Sequence, residues 1–273
     1  MDPRHRHQRE LVVLIVTVVG LSRLLDGPLL WLVAVLVLGA AWFGARQVLS
    51  EGSLHYGRVQ PDAPIVPAVA AVGALGALRL VPLGLALLPA LLAAGLLLNI
   101  ALRLERRLVD RPTGMTAGDR TALLGVTLLV GFLAFTGVAA LVAGGLVEPA
   151  NDGAPIGPPI SEGGIVAIAL GDAVVAGLLG FRLASVRLAG ARDALWAAGT
   201  YAAAIAVAAG LLRAVALPRL AFPALLTLVF YLWDAIRASA PSLRRDPRFI
   251  WQTVLLAVLG VAVIAWNLGL RGS

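Results

Sequence analysis

Cysteine and lysine are both missing from this chain. Without cysteine there is no disulfide, no thiolate nucleophile, no iron–sulfur cluster and no cysteine zinc site. The three histidines, His5, His7 and His55, all fall outside the apolar runs, which excludes a bis-histidine haem or metal cluster within a membrane. Charge is scarce as well: 14% of residues are charged, where a soluble globular domain carries about a quarter. No paired-aspartate motif suggests prenyl transfer, and no serine–histidine arrangement suggests an intramembrane protease. No Walker motif is present, and Gly144-Gly145 and Gly163-Gly164 lack the strand–helix context that nucleotide binding needs. The two-residue alternation of a membrane β-barrel is also absent. No cofactor and no metal site is expected.

The chain is instead rich in long apolar stretches. Hydrophobic residues make up 60% of it, and mean hydropathy is +0.92. Runs of about 20 apolar residues are what a transmembrane helix needs. Nine are read: 11–25, 28–45, 64–81, 82–103, 121–147, 164–184, 194–216, 218–236 and 249–270. The first is short enough to pass for a signal-peptide core, but LSRLLDG follows where a small-residue cleavage site would stand, so it is read as a retained span. Trp251 and Trp266 flank the last span as an aromatic belt does. The expected fold is therefore an all-α, polytopic transmembrane bundle of about nine spans in a single integral membrane domain.

All 22 basic residues are arginine, which fits a GC-rich coding sequence. A pI near 11.2 would suggest nucleic acid in a soluble protein, but here the charge is spread over short loops and no nucleic-acid partner is expected. The positive-inside rule orients the chain. With a cytoplasmic N-terminus, 17 of the 22 arginines fall on the inner side, leaving Arg23, Arg79, Arg213, Arg219 and Arg271 outside. The expected location is a bacterial cytoplasmic membrane, with the N-terminus in and the C-terminus out.

The chain also repeats itself. Residues 76–103 and 210–237 match at 12 of 28 positions without a gap, and a weaker copy covers 20–46. Each copy opens on an arginine (Arg23, Arg79, Arg213) and closes on another (Arg46, Arg103, Arg237), 24 residues apart in two copies and 23 in the third. All three share the same expected orientation, so this is a parallel repeat of α-hairpins and not the inverted kind. Pro89 and Pro223 occupy matching places in the returning helices, where each frees a carbonyl.

Few residues promise chemistry. Asp172 sits near the middle of the sixth span, where a carboxylate costs about 2.5–3.5 kcal/mol on insertion scales and should face the bundle interior. Arg23, Arg79 and Arg213 stand at outer hairpin tips, and together their guanidiniums would bind phosphate or carboxylate. The acidic connector holding Glu148, Asp152 and Glu162 could cover them as an outer lid. Asp172 and the three arginines form the candidate polar site. No catalytic residue is assigned. Single polar residues such as Asn99, Thr127, Thr136, Thr200 and Tyr201 suit interhelical hydrogen bonds, and Asp234 suits the inner interface.

Three functions remain. The first is a non-enzymatic membrane component that serves assembly, scaffolding or lipid binding, with membrane lipids and other membrane subunits as partners. The second is a transporter or flippase for an amphipathic or anionic substrate, using Asp172 and the outer arginines. The third is a lipid-acting enzyme, for which one buried acid is a thin active site. The substrate is not legible.

Overall fold

The computed structural model describes residues 3–51, 59–110, 115–142, 144–145, 148–149, 155–156, 160–188, 190–213, 217, 220–239 and 246–269. Among these residues the chain forms an all-helical bundle with one minimal strand pair. In order the helices are α1 (Pro3–Leu21), α2 (Pro28–Ser50), α3 (Ile65–Ala77), α4 (Leu87–Val109), α5 (Ala117–Leu141), α6 (Glu162–Ser185), α7 (Ala191–Arg213), α8 (Ala221–Ala238) and α9 (Pro247–Gly269). Between α5 and α6, β1 (Glu148–Pro149) pairs antiparallel with β2 (Pro155–Ile156).

Seven helices are long and apolar enough to cross a membrane: α2 and α4 to α9. The other two expected spans take a different form. α1 begins inside the polar tail, so its first two turns are PRHRHQRE and only the remainder is apolar. α3 continues into a 3₁₀ turn but the apolar segment stops at Leu80, about 24 Å along a helix axis. That short helix is the hub of the bundle. Every residue from Ile65 to Gly76 is buried except Val72, and α3 packs against α1, α2, α4, α5 and α6.

Small residues make this possible. Gly73 lies against the backbone of Ala134, Gly76 against that of Gly137, and a Cβ at Gly73 would stand 2.8 Å from the Ala134 Cα. Lipid tails are as apolar as leucine, so close backbone approach of this kind, and not hydrophobic exclusion, supplies much of helix association in a membrane. The α6–α7 pair works the same way: Gly180 receives the Tyr201 ring, and Gly177 faces Ala198 and Ala202. α9 packs on α8 alone, and almost all of its surface is exposed.

Helix ends follow from local chemistry. Thr116 caps α5 in a reciprocal box with Asp119, and the Ser161 hydroxyl accepts from the Gly164 amide at 3.0 Å to start α6. α2 starts from Gly27 at φ 68°, a conformation open to glycine, followed by Pro28 at the first helical position.

The first two hairpin tips share one local form. Ser22–Leu24 and Leu78–Leu80 are both single 3₁₀ turns centred on arginine. Each is closed by an extended residue, Leu25 or Val81, whose amide donates back to the carbonyl three residues before it. The corresponding tip between α7 and α8 falls largely outside the described residues.

Candidate functional site

Four groups of charged side chains are held in the bundle, and in three of them every charged group is bonded, although Arg23 Nε keeps no partner of its own. At the expected outer end, the two tips are cross-braced. Arg23 on the first tip donates from Nη2 to the Val81 carbonyl of the second at 2.6 Å. Arg79 on the second donates from Nη1 to the Leu25 carbonyl of the first at 3.0 Å, and its Nη2 pairs with Asp26. Each arginine thus holds the other's turn. The two guanidiniums lie close enough to repel, and Asp26 offsets part of that.

At the opposite end, Arg182 of α6 is caged. Its Nε donates to Glu105 Oε1 at 3.0 Å and its Nη2 to Glu105 Oε2, a two-pronged pair with α4. Its Nη1 donates to Asp62 Oδ2 at 2.8 Å and to Gln60 Oε1 at 3.3 Å, just ahead of α3. The Ser185 hydroxyl donates to the same Asp62 oxygen. Arg182, Glu105 and Asp62 are 2%, 0% and 5% exposed. So deep a guanidinium survives because nearly all its N–H donors are used and opposite charge surrounds it.

Beside the cage, Arg187 forms a two-pronged pair with Asp234 of α8 at 2.8 and 2.9 Å, and the Tyr201 hydroxyl of α7 donates to Asp234 Oδ1 at 2.6 Å. Burial opposes the charge on Arg187. The hydrogen bonds and negative charge of Asp234 outweigh that and hold the guanidinium above its ordinary range. On the same α7–α8 seam, the Trp233 indole donates to Thr200 at 3.2 Å.

The fourth group is different. Asp172 is fully buried on α6, and neither of its carboxylate oxygens has a hydrogen-bond partner. The charge nearest in effect is Arg213, at the last residue of α7. Arg213 Nε and Nη2 are buried and likewise without a partner, while its guanidinium lies 3.9 Å from the centre of the Phe222 ring on α8. Packing explains their proximity. With Gly180 against Tyr201 and Gly177 against Ala198 and Ala202, the antiparallel register sets Asp172 opposite Ala209, one turn inside Arg213. Side chains lean toward the N-terminus of their own helix, so the aspartate reaches outward and the arginine reaches inward.

Depth follows from the same register. Gly171 abuts Val138 on α5, and α5 ends at Leu141, as α7 ends at Arg213. Asp172 therefore lies about 6 Å, one helical turn, below the edge formed by its neighbours. It is mid-helix in sequence because α6 projects beyond α5 and α7.

Among the sequence-derived candidates, then, Arg23 and Arg79 meet each other, and Asp172 meets Arg213. Arg213 has no hydrogen-bond partner in common with the two tip arginines among the described residues. Of the acidic connector, Glu162 is exposed in the first turn of α6, and Asp152 and the Glu148 side chain lie outside the described residues. The residues missed were Gln60, Asp62, Glu105, Arg182 and Arg187. Arg182 carried a usable signal, since it falls inside the 164–184 span and still needed a buried partner there. A small cleft of about 10 Å³ between α1, α3 and α4 is lined by apolar residues such as Ile15, Ala71 and Leu98 and belongs to none of these groups; it is room for a single water at most. Among the described residues, no set of three or more histidine, cysteine or acidic side chains is grouped to hold a metal. No family model, no curated protein and no solved structure matches this chain.

Proposed function

We propose that the chain is a multi-pass integral membrane protein with a non-enzymatic role, a lipid-binding or assembly component. Its first two hairpins, and the α7–α8 hairpin with them, are read as copies of one parallel unit. The observation that carries this reading is how the buried charges are spent. Arg182, Glu105 and Asp62 tie α4 and α6 to the start of α3, and Arg187, Asp234 and Tyr201 tie α7 and α8 to the end of α6. Arg23 and Arg79 tie two hairpin tips. These groups are committed to holding helices together, and none presents a free nucleophile or base to a substrate.

The natural absence of cysteine makes the test clean. Single cysteines at Leu85 and Ser161 should react with an impermeant thiol reagent from outside intact cells, and those at Thr116 and Ser239 only after permeabilisation. Labelling of all four from one side would overturn the span count and orientation. The purified protein should also retain co-purifying lipid; a lipid-free preparation that stays folded would remove the lipid-binding role. A transporter for an amphipathic or anionic substrate is the second reading, favoured by Asp172 and Arg213, where four buried polar atoms are left unspent.

A further inference from the structure

We infer that Asp172 and Arg213 form a binding site for a zwitterionic group, an anion joined through a short linker to a primary ammonium. The inference rests on the lipid-binding reading and names the chemistry it would select.

Two opposite charges stand close enough to interact, yet neither bonds the other. Four of their buried polar atoms are unspent: both oxygens of Asp172, and Nε and Nη2 of Arg213. Leaving such atoms unpaired away from water costs free energy. Arg23 Nε is unpaired too, but that guanidinium is bonded through Nη2 to the Val81 carbonyl, whereas the Asp172 carboxylate has no hydrogen bond at all. The unspent atoms also have a shape. Nε and Nη2 form one edge of the guanidinium, the edge that grips carboxylate or phosphate with two parallel hydrogen bonds. The Phe222 ring supports the face of that guanidinium at 3.9 Å, and the buried edge carries no hydrogen bond. Asp172 offers two acceptors to a donor that carries positive charge.

The charge arithmetic selects the ligand. A simple anion on Arg213 would meet the repulsion of Asp172, and a simple cation on Asp172 would meet that of Arg213. A group with both charges, oriented oppositely, meets neither. The ammonium must carry hydrogens, because Asp172 can only accept when ionised; a trimethylated amine would leave its oxygens unpaired. Arg213 is half-buried at the end of α7, and Asp172 is about one turn, roughly 6 Å, further in. The four unspent atoms are closed to water, so a ligand enters only as the Arg213 side chain moves aside. Two sources share this chemistry, the aminoethyl phosphate headgroup of a membrane lipid and a free zwitterion in the adjoining water.

The full-length protein in detergent, titrated with defined lipids and read by native mass spectrometry, tests the site. Phosphatidylethanolamine should be retained at least about tenfold better than phosphatidylcholine or phosphatidylglycerol, the scale of losing one hydrogen bond to a charged group. Competition by free phosphoethanolamine or glycine, with a rise in melting temperature, would assign the site to a soluble zwitterion; its absence would assign it to the lipid. Asp172→Asn should abolish the preference over phosphatidylglycerol while Arg213→Lys, which keeps the charge but loses the fork, should weaken both zwitterionic sources. The elution profile reports folding, and Arg213→Lys serves if Asp172→Asn does not fold. Retention of lipid without headgroup preference, or a preference unchanged in both variants, would overturn the site and leave the lipid-binding reading standing. Retention of no lipid at all, with no response to free zwitterions, would overturn both.

Discussion

Removing Arg182 should damage this protein more than removing either of the acids that surround it. The guanidinium is 2% exposed and faces Glu105 at 0% and Asp62 at 5%. In Arg182→Met, two buried carboxylates lose their cation together; Glu105 loses both its Arg182 donors and Asp62 keeps only the Ser185 hydroxyl. Breaking a buried pair in this way costs about 3–5 kcal/mol, most of it the penalty of stranding the remaining charge. Glu105→Gln leaves Arg182 bonded to Asp62 at 2.8 Å and keeps one acceptor on the glutamine, so its cost should be about 1–3 kcal/mol. At roughly 2–4 °C per kcal/mol for domains of 150–250 residues, Arg182→Met should lower the melting temperature by about 6–20 °C. The double variant Arg182→Met/Glu105→Met should recover part of that loss, because it removes charge from both sides of the pair and only Asp62 is left over. The assay is thermal unfolding of the purified protein in one detergent, followed by tryptophan fluorescence and by monodisperse elution after heating. Arg182→Met as stable as Glu105→Gln, or a double variant worse than the sum of the singles, would refute the cage as described.

The braced tips should behave as one unit: Arg23→Ala and Arg79→Ala should each cost about 0.5–1.5 kcal/mol, and their sum should differ from the double variant by at least about 0.5 kcal/mol in a thermal double-mutant cycle. Gly73→Ala and Gly76→Ala should each destabilise by about 1–3 kcal/mol, as overpacking does, because their Cβ atoms would meet the α5 backbone. Gly39→Ala, with no neighbour within 4 Å, should be neutral or stabilising by up to about 1 kcal/mol, so equal effects at all three sites would contradict the α3–α5 contact. Tyr201→Phe deletes the 2.6 Å donor to Asp234 and should cost about 1.5–3 kcal/mol; no change in melting temperature would mean that Arg187 alone satisfies that carboxylate.

What could be read from the sequence was whatever depends on one segment at a time. Apolar length announced α2 and α4 to α9, and proline and glycine placed the turns at Gly27-Pro28 and around Arg79. Asp172 was legible because a carboxylate in an apolar run is costly wherever it points. The pairings were not legible, because they depend on which helices touch. Glu105 stands among Arg103, Arg106 and Arg107, none at the three- or four-residue spacing that pairs side chains on a helix, and it bonds Arg182 from 77 residues away. Asp62 lies in a polar connector that reads as solvated, but it is sealed under α6. The expected span at 121–147 and the helix that forms there differ for a local reason: Val142 adopts an extended backbone with ψ 128°, which ends α5 at Leu141.

The opening arginines of the repeat show how one sequence feature can be put to two uses. Arg23 and Arg79 occupy equivalent places on equivalent turns, and because α1 packs against both α3 and α4 each finds the other tip's carbonyls within reach. Each arginine is thereby turned into a clasp on the other's turn. Arg213, which the sequence alone aligns with them, closes a helix that packs most extensively on α6. Among the described residues no equivalent tip is bonded to it. Its guanidinium turns inward instead, over Phe222 and toward Asp172. Two of these arginines thus brace the tips, while Arg213 leaves Nε and Nη2 unspent near a buried carboxylate that has no hydrogen bond at all, and that is why the search for a ligand belongs at Arg213 and not at the other two.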